Sequence, residues 1–125
     1  MTLTLLQVAL GGALGAAARY LTFLGANRLL GPGFPWGTLA VNILGSFLMG
    51  VLVVALAHLS ANRLAPFLVT GLLGGFTTFS AFSLDALTLW ERGEAGAAAA
   101  YVAGSVLLSL AAILAGLWTA RGVFA

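Results

Sequence analysis

The chain has 125 residues, 62% hydrophobic and 6% charged, with a mean hydropathy of +1.12, where a soluble domain carries about a quarter charged residues. This is membrane-protein composition, with room for about four or five spans of ~20 apolar residues and none for a separate soluble catalytic domain. Five arginines against three acids give a net charge of +2 without a basic cluster, and there is no cysteine and one histidine, which excludes thiol and disulfide chemistry, a histidine-rich metal site and a nucleic-acid surface.

The first apolar run, 3–24, lacks a positive leader and is too long for a signal-peptide core, so it reads as a retained helix. Gly25 to Pro35 holds Asn27, Arg28, Gly31, Pro32 and Gly33, a cluster of turn formers expected to break the chain. A second span is expected over 36–57. After His58, Ser60, Asn62 and Arg63, Pro66 sits where a helix best tolerates proline, in its first turn, and opens a third span over 66–90. Glu91, Arg92, Gly93 and Glu94 turn the chain into a fourth span over 97–120, closed by Arg121 and Gly122. Trp36, Trp90 and Trp118 fall near span ends, where an interfacial belt places them. The fold class is therefore all-α, one domain of four transmembrane helices.

Four spans put both termini on one side. Arg28 and Arg92 then lie at the end of the first and third loops, with Arg19 near them, and Arg63 and Arg121 at the other. So little positive-inside bias permits insertion either way up, and two oppositely inserted copies would form an antiparallel pair.

Several positions depart from plain apolar helix. Gly11 and Gly15, Gly71 and Gly75, and Gly45, Ser46 and Gly50 give spacings that let membrane helices approach closely. Gly74-Gly75-Phe76-Thr77-Thr78 places two poor helix formers and two backbone-competing hydroxyls near the middle of span three, so a local break is expected there. Carbonyls freed by such a break must find protein, water or an ion; two breaks meeting on a two-fold axis would suit a hard cation such as Na⁺. Asn42 is either a helix-to-helix hydrogen bond or an NH₂ donor to an anion. Phe79 and Phe82, three apart, share a face, either as core or as positive ring edges that meet an anion. Tyr101, Ser105 and Ser109 form a hydroxyl stripe on span four, which with Ser80 and Ser83 either lines a polar path or bonds back to its own helix. Arg19 and Asp85 are the charges inside spans; Arg19 reads as an interfacial anchor or a functional group, Asp85 as a vestibule guard or a helix cap.

Three segments taken together resemble the small fluoride channel family, the Fluc or CrcB fluoride exporters of prokaryotes. They are Gly11-Gly12-Ala13-Leu14-Gly15 with Arg19-Tyr20, Gly37-Thr38-Leu39-Ala40-Val41-Asn42-Ile43-Leu44-Gly45-Ser46-Phe47, and Gly74 to Ser83. In the third, Phe76 and Ala81 stand where the family often has leucine and a small hydroxyl residue. The resemblance implies a dual-topology antiparallel homodimer in the cytoplasmic (inner) membrane. It also implies two pores and a central structural Na⁺ on the backbone carbonyls of Gly74 and Thr77. It further implies that Asn42 and the edges of Phe79 and Phe82 contact fluoride, that Ser80, Tyr101, Ser105 and Ser109 continue the polar lining, and that Arg19 and Asp85 hold structural or vestibule roles.

The chemistry of the ion agrees with such a lining. Fluoride is small and tightly hydrated, so a pore must replace its water with several short donors, and a fixed lysine would hold it too firmly. No GxxxxGK[ST] motif or carboxylate cluster offers a nucleotide site, and no nucleophile and base pair points to an enzyme. A proton-coupled exporter of hydrophobic cations in the small multidrug transporter style would need a carboxylate deep in span one, where only Arg19 is charged. A non-transporting helper subunit would account for the glycine faces but leave Asn42, Phe79 and Phe82 without a purpose.

Overall fold

The computed structural model describes all 125 residues. It is all-helical: α1 (Thr2–Leu30), α2 (Trp36–His58), a single 3₁₀ turn at Asn62–Leu64, α3 (residues 66–76), α4 (Phe79–Glu91) and α5 (Ala95–Val123). Four stretches are long and apolar enough to cross a membrane, with Asn62–Glu91 counting as one. Only 17 residues are buried within the single chain, because leucine, valine and tryptophan side chains cover its outside, as lipid-facing helices require.

One expectation needs correction. The chain does not break at Gly25: α1 runs through Asn27 and Arg28 to Leu30, where Gly31 at φ 79° ends it. An exposed helix end tolerates polar residues, and here the positive-φ glycine followed by Pro32 ends the helix. The third crossing breaks within Gly74 to Thr78, as expected, and it does so at the threonines of that segment. Gly74 is helical at φ −61° and ψ −37°; the extended residues are Thr77, at φ −83° and ψ 159°, and Thr78, at φ −154° and ψ 120°.

The glycines have a different task. A Cβ on Gly75 would stand 2.6 Å from the Gly12 carbonyl oxygen, and one on Gly71 would stand 2.9 Å from Cα of Gly11. Gly11 and Gly15 would meet the backbone of α3 at Phe67 and Leu72 in the same way. The two glycine pairs thus interleave α1 with α3, and backbone proximity supplies the dispersion that membrane helices associate by. Residues Pro66–Leu73 are wound as a π-helix, an uncommon widening that is frequent at functional sites. A second seam joins α2 to α5, where a Cβ on Gly50 would lie 2.5 Å from the Ile113 carbonyl and Gly116 sits against Phe47.

The two ends of the bundle are tied separately. At one, Arg92 donates to the Gly33 carbonyl at 2.9 Å and pairs with Glu94, joining the α1–α2 and α4–α5 turns. At the other, His58 stacks on Phe124 with ring centroids 4.9 Å apart.

Candidate functional site

The site grows from the two extended threonines. Their backbone cannot continue the ladder, so side chains replace the missing bonds. Asn42 faces Thr78 across the α2–α4 contact: its Nδ2 donates to the Thr78 carbonyl at 2.9 Å, and its Oδ1 accepts from the Thr78 N–H at 2.8 Å. Of the two readings of Asn42, the helix-to-helix bond is present, and it is doubled. A carboxamide has two N–H donors, and only one of them is taken by the protein.

The Thr78 hydroxyl caps α4 by accepting from the Ala81 N–H at 3.1 Å, while the Thr77 hydroxyl donates back to the Leu73 carbonyl at 2.9 Å. These bonds have a consequence for two carbonyls. In a continuous helix the Gly74 carbonyl would accept from the Thr78 N–H, and the Thr77 carbonyl from the Ala81 N–H. Both donors are engaged elsewhere, by Asn42 and by the Thr78 hydroxyl. Gly74 is exposed on the outside of the single chain.

Asn42, Phe79, Phe82, Ser105 and Ser109 come together on one cavity of about 440 Å³, with Gly45, Ser46, Met49, Thr77 and Thr78 completing much of its wall. None of its lining residues is charged. Helical periodicity explains the assembly: Asn42, Ser46 and Met49 recur on one face of α2, Ser105 and Ser109 on one face of α5. The Phe79 and Phe82 rings lie 5.4 Å apart at 59°, and Phe79 is 77% exposed. The Ser105 hydroxyl is buried and has no hydrogen-bond partner, an unusual state for a polar atom in a packed interior. Of the two readings of the stripe, back-bonding to its own helix does not hold at Ser105.

The structure parts Ser80 and Tyr101 from this group. Ser80 is exposed, its hydroxyl 3.3 Å from that of Thr78. Tyr101 is 1% exposed and stands behind Phe82, centroids 5.3 Å apart, with its hydroxyl donating to Asp85 Oδ2 at 3.2 Å. Asp85 also accepts from the Thr38 hydroxyl at 2.7 Å. It caps no helix, and it lines a second cavity of about 280 Å³ with Asn27, Thr38, Thr88 and Arg92. Arg19 is half-buried on α1 and lines neither cavity.

Sequence reasoning passed over Thr38, and it named Thr78 only as a source of the break. Thr38 carried a usable signal, since it lies one turn before Asn42 on the same face of α2. Thr78 carried none for its clamp, because its partner is 36 residues away.

Comparison with known proteins agrees in kind. Residues 6–117 match the family described as CrcB-like protein, Camphor Resistance (CrcB). The chain is 70% identical over 122 residues, 98% of each chain, to a protein of Cereibacter sphaeroides called fluoride-specific ion channel FluC. It is 65% identical over 122 residues, again 98% of each chain, to one of that name in Paracoccus denitrificans. A third, in Agrobacterium fabrum, is 56% identical over 119 residues, 94% of this chain and 95% of the relative.

Proposed function

The chain belongs to the CrcB family, and from that membership we propose that it is a fluoride-specific ion channel, passive and multi-pass in the cytoplasmic (inner) membrane. One observation carries the reading at the level of chemistry. The cavity is lined by Asn42, which keeps an unused N–H, by Ser105, whose buried hydroxyl has no partner within the chain, and by the rings of Phe79 and Phe82, with no charged group. Such a lining replaces the water of a small anion with short neutral donors and positive ring edges, which bind well enough to admit the ion and weakly enough to release it. Ser109 extends the donors along α5, and Ser80 continues them beyond the cavity, while Tyr101, its hydroxyl donated to Asp85, backs the Phe82 ring. With no nucleotide motif, the ion follows its own gradient, and a negative-inside potential drives fluoride out of the cell, which confers fluoride resistance.

The working unit in this reading is an antiparallel, dual-topology homodimer. Two features support it. Phe79 and the Gly74 backbone are exposed on the outside of one chain, and freed backbone at membrane depth is tolerated only where protein or water covers it. Two arginines stand at each end of the bundle, Arg28 with Arg92 and Arg63 with Arg121, so insertion is balanced. A two-fold axis would bring the same patch of both copies together.

On that axis the Gly74 and Thr77 carbonyls of both copies would hold a structural Na⁺. The fit is good in kind, since both carbonyls have lost their helical donors and hard cations take oxygen ligands. The ion would neutralise converging carbonyl dipoles and fix the two breaks to one another. Replacing all Na⁺ by a large organic cation is expected to lower the dimer fraction in detergent; an unchanged fraction removes the ion from the proposal.

The deciding experiment is efflux of fluoride and of chloride from salt-loaded liposomes bearing the purified protein, with an ionophore balancing charge. Fast loss of fluoride with chloride retained is the expected result. Absence of fluoride loss from correctly assembled protein overturns the channel reading.

A further inference from the structure

Asp85 Oδ2 binds three helices to one point. It sits on α4 and accepts from Thr38 of α2 at 2.7 Å and from Tyr101 of α5 at 3.2 Å. Thr38 lies four residues before Asn42, Asp85 three after Phe82, and Tyr101 four before Ser105. Each helix therefore carries a cavity-lining residue one turn away from the same oxygen.

We infer that Asp85 is a positioning residue of the channel: through Thr38 and Tyr101 it sets the mutual register of α2, α4 and α5, and with it the aim of the Phe82 ring edge. The inference rests on the channel reading above. A carboxylate only accepts, so both hydroxyls must donate to it and neither rotor is free to turn elsewhere. Bonds to an ionised acceptor are also about twice as strong as neutral ones. Lipid gives no hydrophobic drive to align one helix against another, so polar contacts between helices decide how they slide and rotate.

The ring contacts carry that register into the cavity. Tyr101 is fixed at its hydroxyl by Asp85, meets the Phe34 ring at 90° and 5.5 Å, and backs the Phe82 ring at 5.3 Å. Phe82 in turn meets Phe79 at 5.4 Å. Ring pairs hold preferred relative tilts, so a displaced Tyr101 tilts Phe82 and changes which part of its ring faces the anion. Asp85 itself stays off the wall of that cavity, where its charge would repel an anion.

The test places 4-fluorophenylalanine at position 82 and reads its ¹⁹F resonance in the full-length protein, alongside fluoride efflux measured on unlabelled protein. Asp85→Ala and Tyr101→Phe are each expected to move the resonance, with the double variant no further displaced than either. Asp85→Asn keeps an acceptor oxygen and a similar shape, and its resonance is expected to stay near the native one. Efflux is expected to slow about tenfold in Asp85→Ala, in Tyr101→Phe and in the double variant alike, and no more than about threefold in Asp85→Asn. A resonance unmoved by Asp85→Ala overturns the inference. So does Asp85→Asn altering efflux as much as Asp85→Ala does, which would mean that the charge acts on the ion itself. A native protein that passes no fluoride sinks the channel reading instead, and the resonance still decides whether Asp85 orients the ring.

Discussion

Ser105 has a buried hydroxyl with nothing to bond, a condition that costs a folded protein about 1–3 kcal/mol. Replacing it by alanine should therefore raise the unfolding temperature in detergent while slowing fluoride efflux several-fold. A variant that loses stability and keeps its flux would show that the hydroxyl has an unseen partner and no part in conduction. Asn42 presents the opposite case, because its two bonds to Thr78 make it structural and functional at once. Asn42→Asp can still accept from the Thr78 N–H but has no donor for the carbonyl, and it adds a negative charge to the cavity wall. Fluoride flux from liposomes is expected to fall by at least about a hundredfold, given the size of like-charge repulsion at such range. Much of this residue chemistry is legible in the sequence: Asn42, the Phe79 and Phe82 pair and the Ser105 and Ser109 pair all stand out against apolar helix. The Thr38–Asp85–Tyr101 knot is not legible, since its members are 47 and 16 residues apart and meet only through tertiary packing.

The glycine seams set what the helices tolerate. Gly75→Ala would press a methyl to within 2.6 Å of the Gly12 carbonyl, a backbone atom that cannot step aside, and overpacking of that kind costs about 1–3 kcal/mol. Gly96→Ala, on the exposed first turn of α5 with nothing within 4 Å, should instead leave stability unchanged or raise it by up to about 1 kcal/mol. Thermal unfolding of the two variants side by side checks the contrast; equal behaviour would mean that α1 and α3 separate more readily than the structure has them. The four crossings follow from hydropathy alone, and most of their ends from tryptophan, proline and arginine, whereas α1 runs past the expected break at Gly25 to Leu30. What hydropathy hides is the state of Gly74 and Gly75, whose poor helix propensity suggests a break, whereas contact with α1 keeps them helical. Tertiary packing overrides local preference there, and the break falls on the threonines of the same segment, Thr77 and Thr78, where Asn42 and the Thr78 hydroxyl supply the missing bonds.

At the scale of the whole molecule, the arginine balance is what the proposed antiparallel dimer depends on. The Arg92 bond to the Gly33 carbonyl and the His58 contact with Phe124 identify the two ends independently of any charge count. Adding two lysines near Arg63 should bias insertion one way and leave few antiparallel partners, and adding two near Arg28 should bias it the other way. Each variant expressed alone is expected to confer little fluoride resistance, and the two expressed together to restore it. Full resistance from either variant by itself would overturn the antiparallel assembly. The extended pair Thr77 and Thr78 has a consequence beyond this generation of molecules. Residues 66–76 pack chiefly on α1, whereas α4 packs mainly on α5 and is clamped to α2, and the extended pair separates the rotation of one half from that of the other. An α-helix turns about 100° per residue, so an unbroken crossing would have to suit both sets of neighbours with one fixed phase. Because it is broken, a single passage through the membrane is inherited as two pieces, each free to drift with its own partner.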